Sequence, residues 1–139
     1  MRDPDFVIGP SDDPYLLRWW VIPRNKWFNV YLHCFKRSDD DRALHDHPWR
    51  NVSILMCGRY IEHLPGGVTK FRRRFLPIFR RATSAHRVEL IDGQEVWTLF
   101  ITGPRWRVWG FYCPKGWIPW TEFVEDRPGG NAVGKGCGD

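Results

Sequence analysis

Leu44-His45-Asp46-His47-Pro48-Trp49, together with the later Ala85-His86-Arg87-Val88-Glu89-Leu90, is the pair of segments whose reading decides the fold. In an extended segment alternate side chains share a face. His45 and His47 therefore project together from Cα atoms ~6.6 Å apart, close enough for both imidazoles to reach one ion at ~2.1 Å. Asp46 must then point to the opposite face. Such a triplet is common in loops, so a site needs a third donor. His86 is the best candidate: it lies 39 residues after His47 and opens a strand-like run behind the polar lead-in Arg80-Arg81-Ala82-Thr83-Ser84-Ala85.

Outward from these segments the pattern is strand after strand. Residues 15–22 (YLLRWWVI) and 27–35 (WFNVYLHCF) are rich in β-forming residues and are separated by the turn-like Pro23-Arg24-Asn25-Lys26. Residues 51–64 predict one long strand with a break at Gly58, closed by the turn Pro65-Gly66-Gly67. Runs at 68–75, 85–91 and 95–103 follow, with a turn at Asp92-Gly93, and 105–113 (RWRVWGFYC) alternates in the manner of a further strand. Strands spaced ~8–12 residues apart predict an antiparallel sandwich or barrel. The expected organisation is an extended lead-in over 1–14, a barrel over 15–124, and a glycine-rich flexible tail over 125–139.

At 139 residues the chain fits one domain, and the 16% of aromatic residues beside 11 Pro and 13 Gly argue for short strands and turns over a helical bundle. Four scattered cysteines without a CxxC pair are expected to be reduced thiols, with Cys34, Cys57 and Cys113 buried. No apolar stretch reaches the ~20 residues of a membrane helix and the first residues lack a signal-peptide pattern, so the expected location is the cytoplasm. The formal charge is +5, with 21 Lys+Arg, mostly Arg, against 16 Asp+Glu, which is ordinary for solubility and also compatible with an anionic partner.

The motif residues add to this. His45 and His47, Gly58, the turn at 65–67 and His86 resemble the cupin superfamily, small double-stranded β-helix or jelly-roll barrels, over roughly residues 28–113. The run from Pro14-Tyr15-Leu16-Leu17-Arg18-Trp19-Trp20 through His45–Trp49 to Val96–Arg105 is similar to small bacterial and phage-encoded single-domain cupins. The resemblance implies an all-β, single-domain cupin double-stranded β-helix with a divalent transition metal (Fe, Zn, Mn or Ni) on His45, His47 and His86. The family's first motif carries a Glu four residues after its second His, where this chain has Asn51. The Pro, Gly and Asn positions of the second motif hold Arg81, Thr83 and Leu90.

Three neutral histidines leave the metal its full charge and open positions, which suits Zn²⁺ as a Lewis acid or Fe²⁺ as in the thiol dioxygenases among cupins. Candidate extra ligands or neighbours are Asn51 through its amide oxygen, Glu62 and Tyr60 if the chain breaks at Gly58, and Asp41 from the acidic loop. Arg59, Arg81 and Arg87 are candidates for a substrate anion, with Trp49 walling the pocket, while the other tryptophans are expected mainly as barrel packing. His33 is expected as a hydrogen-bonded core residue and His63 as a surface one.

The leading functional expectation is a metal-dependent enzyme acting on a small anionic molecule, by dioxygenase-type chemistry first and isomerase or hydrolase chemistry second. Its rival is a non-catalytic interaction module of phage or bacterial origin, with a homodimer through the aromatic first strands as an analogy from cupins. An arginine-driven nucleic-acid binder ranks third, because no recognition helix or RNP-like motif accompanies the basic stretches.

Overall fold

The structure is a computed structural model that describes residues 1–38, 43–127 and 130–133, with side chains over 1–38 and 43–122. In chain order the strands are β1 (Phe6–Ile8), β2 (Leu16–Trp20), β3 (Asn29–Phe35), β4 (Leu44–His45), β5 (Asn51–Cys57), β6 (Tyr60–Leu64) and β7 (Val68–Arg72). They continue with β8 (Pro77–Arg80), β9 (Arg87–Leu90), β10 (Val96–Thr102), β11 (Gly110–Cys113), β12 (Gly116–Pro119), β13 (Val124–Arg127) and β14 (Gly130–Val133). One short helix, α1 (Trp120–Phe123), precedes β13.

Antiparallel pairing gives a six-stranded sheet in the order β1-β2-β3-β10-β5-β8. A second sheet runs β7-β6-β9 and a third β12-β11-β4. The period-two alternation seen in the sequence becomes burial: on β10, Val96, Thr98, Phe100 and Thr102 point inward and the residues between them are partly exposed. Leu55 and Val96 from the large sheet pack against Tyr60, Val88 and Leu90 from the second, with Phe35 alongside. Each fully buried aliphatic chain of this kind contributes ~1.5–3 kcal/mol, so this cluster is what holds the two sheets face to face.

The predicted 51–64 strand is divided at Gly58, whose φ is +86°, and the chain passes there from β5 in the large sheet to β6 in the second. Only glycine takes this conformation without strain, and a Cβ would also lie 2.7 Å from the Glu95 carbonyl oxygen. The break resets the alternation so that Tyr60 and Glu62 are both buried.

Several expectations change. Part of the 1–14 lead-in is a strand, because β1 pairs with β2 at the sheet edge through Phe6↔Arg18, Val7↔Leu17 and Ile8↔Leu16. Within 125–139, expected as a flexible tail, the described residues form the β13–β14 ladder; 128–129 and 134–139 lie outside the described residues. Of 105–113 only Gly110–Cys113 is strand: the Trp106 N–H donates to the Pro48 carbonyl and Arg107 reaches the His47 carbonyl, so this segment follows the 45–49 loop instead of a sheet edge.

Cys113 is disulfide-bonded, which corrects its reading as a reduced thiol. Cys34 is free and buried; Cys57 is free but exposed, at the strand end where β5 turns out of the sheet; Cys137 and Asp41 lie outside the described residues. Trp106 is exposed and does not pack the barrel. Among the described residues no helix is long and apolar enough to cross a membrane.

Replacing Gly58 by Ala forces strain at φ +86° and a clash with the Glu95 carbonyl. Urea denaturation is expected to show a loss of about 1–3 kcal/mol, whereas Gly67→Ala, where a Cβ meets nothing within 4 Å, is expected to lose less.

Candidate metal centre

His45 ends β4 and His86 immediately precedes β9, and the two pair directly as an antiparallel bridge: each backbone N–H donates to the other's carbonyl at 2.9 Å. Two segments far apart in sequence are thereby joined at the residues that carry their imidazoles. His47 is fixed separately, its N–H donating to the Ala82 carbonyl at 3.0 Å. The ring centroids lie 4.8 Å (His45–His86), 4.9 Å (His47–His86) and 5.3 Å (His45–His47) apart.

One ring nitrogen from each histidine falls within 4.8 Å of the others, and the Nε2 atoms of His47 and His86 are 3.3 Å apart. Two nitrogens on a tetrahedral ion at ~2.1 Å stand ~3.4 Å apart, so this pair is already at the spacing an ion requires. The donor set also fits in charge state. Burial, reinforced by the neighbouring histidines and by Arg80 and Arg107, holds His47 well below the usual imidazole pKa. His86 is lowered to about 4, by burial first, against the raising effect of its hydrogen bond to Glu62. Both are therefore neutral donors at neutral pH, the form a metal binds.

Two buried carboxylates orient the histidines. Glu62, on β6 and fully buried, accepts from His86 Nδ1 at 2.6 Å, which places the proton on Nδ1 and leaves Nε2 as the lone-pair donor. The same carboxylate accepts from Arg72 Nε at 2.7 Å and Arg80 Nε at 2.8 Å. Burial alone would raise its pKa, but the His86 hydrogen bond and the two guanidinium charges outweigh that and hold it well below the usual carboxylate range. Arg80 in turn donates to Ser53 Oγ at 2.8 Å. On the opposite face, Asp46 accepts from the Gly110 N–H at 2.8 Å and Trp117 Nε1 at 3.1 Å, and pairs with Arg107 at 3.0 Å. Gly110 is glycine because a Cβ there would collide with the Ile118 carbonyl oxygen and lie 2.8 Å from the Trp117 ring.

The histidines open into a cavity of about 470 Å³ with largely aromatic walls. Trp49 is part of the wall and stacks on His47 at 5.5 Å and 21°. Tyr60 also lines it. Glu62 is one step behind, bound to His86. Asn51 is buried beneath a separate depression that it shares with Arg80 and Arg81, and does not line the histidine cavity. Arg59 and Arg81 are exposed and Arg87 partly so, and none of the three lines the cavity, Arg87 because the alternation of β9 turns Val88 inward instead.

His33 is buried and accepts from Arg18 Nε at 2.8 Å, and His63 lies at the surface 3.0 Å from Glu89. Arg18 and Arg80 both line the cavity and were missed as site residues. For Arg18 the available signal was an arginine within the otherwise apolar run 15–22; for Arg80 no local signal separated it from the other arginines of its cluster.

Comparison with known proteins identifies the fold. No protein-family model matches the sequence, and no curated protein does. Solved structures do match. A cupin-like protein from Thermotoga maritima superposes with a TM-score of 0.58 at 14% identity, over 74% of this chain and 79% of its own. The polyketide cyclase RemF from Streptomyces resistomycificus gives 0.56 at 18% identity, over 74% and 70%. The DMSP lyase DddQ from Ruegeria pomeroyi gives 0.55 at 11% identity, over 74% of this chain and 54% of that one. At these identities the likeness is one of fold. The chain shares the double-stranded β-helix fold of these structures, and a three-histidine cluster lies inside it.

Glu62→Ala leaves Arg80 buried without its carboxylate, and is expected to cost about 3–5 kcal/mol in chemical denaturation. Glu89→Ala, which removes only the surface contact to His63, is expected to cost less than about 1 kcal/mol.

Proposed function

We propose that this protein is a metal-dependent cupin enzyme in which His45, His47 and His86 hold one divalent transition metal and a small anionic molecule is transformed in the adjoining cavity. The observation that carries the proposal is the convergence of three imidazoles, two of them held neutral by burial, at the wall of a 470 Å³ cavity. When bound, the metal supplies Lewis acidity and open coordination positions, chemistry that serves dioxygenase-type reactions first and isomerase- or hydrolase-type reactions second.

The chain's own groups have definable parts. Glu62 keeps the His86 proton on Nδ1 and the ring in one orientation. Trp49 stacks against His47 and packs on Phe100 at 5.4 Å, so the two rings form an apolar wall beside the histidines. Tyr60 presents a buried phenol whose pKa is raised, by burial first, so it enters the cavity as a protonated hydrogen-bond donor.

Protein purified with Fe, Zn, Mn or Ni supplementation is expected to carry about one equivalent of metal by mass spectrometry. His45→Ala and His86→Ala are expected to carry almost none, and Glu62→Gln to bind ~10–100-fold more weakly. Wild type without stoichiometric metal contradicts the proposal. Oxygen consumption by the iron form favours the dioxygenase assignment, and a stable zinc form with no oxygen uptake favours Lewis-acid chemistry.

A further inference from the structure

The cavity has a second polar feature, away from the histidine cluster. Arg18, on β2, lines the same cavity, and its register partner on β3 is His33. Its Nε donates to His33 Nε2 at 2.8 Å, and its guanidinium lies 4.4 Å from the centre of the Tyr31 ring and 6.0 Å from that of Phe6. Because arginine only donates, His33 must present Nε2 as an acceptor and so be neutral; burial and the Arg18 charge hold its pKa well below the usual value, in keeping with that.

None of these neighbours carries a negative charge. Every ion pair among the described residues leaves Arg18 out. The other cavity arginines differ: Arg80 is taken up by Glu62, Arg37 pairs with Asp13, and Arg105 is exposed. Placing a guanidinium among aromatic rings without an anion is costly, and here burial drags its pKa down to about 10. The protein tolerates that cost at one point of the cavity wall.

We propose that Arg18 is the anchor for a carboxylate on the molecule that fills this cavity, and that the ligand class is a small monocarboxylate with an apolar body. With Nε tied to His33, the Nη1/Nη2 edge remains for a bidentate carboxylate. A single guanidinium matches one negative charge, and the aromatic walls offer little to a phosphate dianion. Phe100 links the two ends of the cavity, 4.9 Å from the His33 ring and 6.3 Å from the His47 ring, so a ligand pinned at Arg18 lies across Phe100 towards the histidines. The assignment rests on the cavity being the substrate site and names the substrate class for it.

The test uses metal-free, chelator-treated protein, so that carboxylate binding to a metal plays no part. Benzoate, phenylacetate and hexanoate are each titrated beside the matching carboxamide by isothermal calorimetry. At least one acid is expected to bind tenfold or more tightly than its amide, Arg18→Gln to abolish that preference, and Arg18→Lys to keep part of it. Arg18→Gln is expected to take up metal as wild type does. The inference is overturned if wild type binds none of the acids or binds acid and amide alike, a comparison that needs no variant, or if Arg18→Gln keeps the preference. A wild type that prefers the acids yet takes up no metal would sink the metal proposal and leave the carboxylate anchor standing.

Discussion

The buried carboxylate of Glu62 is the interaction on which the rest of the structure turns. It accepts from Arg72 on β7, Arg80 on β8 and the His86 imidazole, so one side chain ties the second sheet to the edge of the first and to the histidine cluster. A lone carboxylate at this depth would be neutralised or expelled; two guanidiniums and an imidazole N–H offset its desolvation. The effect on chemistry is indirect. A carboxylate ligand would lower the effective charge of a bound metal, whereas a carboxylate behind His86 raises the basicity of that imidazole and would leave such a metal with three neutral donors.

Asp46 does the same from the other side. It lies between His45 and His47 and faces away from them, and its bonds to Gly110, Trp117 and Arg107 lock the extended geometry that puts the two imidazoles on one face. Arg107 also donates to the His47 carbonyl at 3.0 Å, so backbone and side chain of the motif are held by the same residue. The histidines are therefore set between two buried anions, each saturated by cations and polar hydrogens. That is the support a rigid site requires.

Much of this was readable along the chain. The parity of His45-Asp46-His47 foretold which side chains converge and which one turns away, and Gly58 foretold a break that brings Tyr60 and Glu62 inside. The absence of Glu at position 51 was visible, but the placing of Glu62 behind His86 depended on how far the break resets the alternation. Partnerships across strands were not readable. Arg18 meets His33, and Arg80 meets Glu62, through registers fixed by the whole sheet, and each arginine looks in sequence like its exposed neighbours. The segment 105–109 alternated like a strand but is held by the 45–49 loop, a long-range hydrogen-bonding preference that outweighs local pattern. The disulfide at Cys113 left no spacing signature at all.

The most direct measurement is an anomalous-difference map from crystals of the protein grown with cobalt or zinc. The account predicts a single strong peak within bonding distance of ring nitrogens of His45, His47 and His86, with the Glu62 carboxylate on the far side of His86. A map with no peak there, or with the ion bound instead by Glu62, would contradict it.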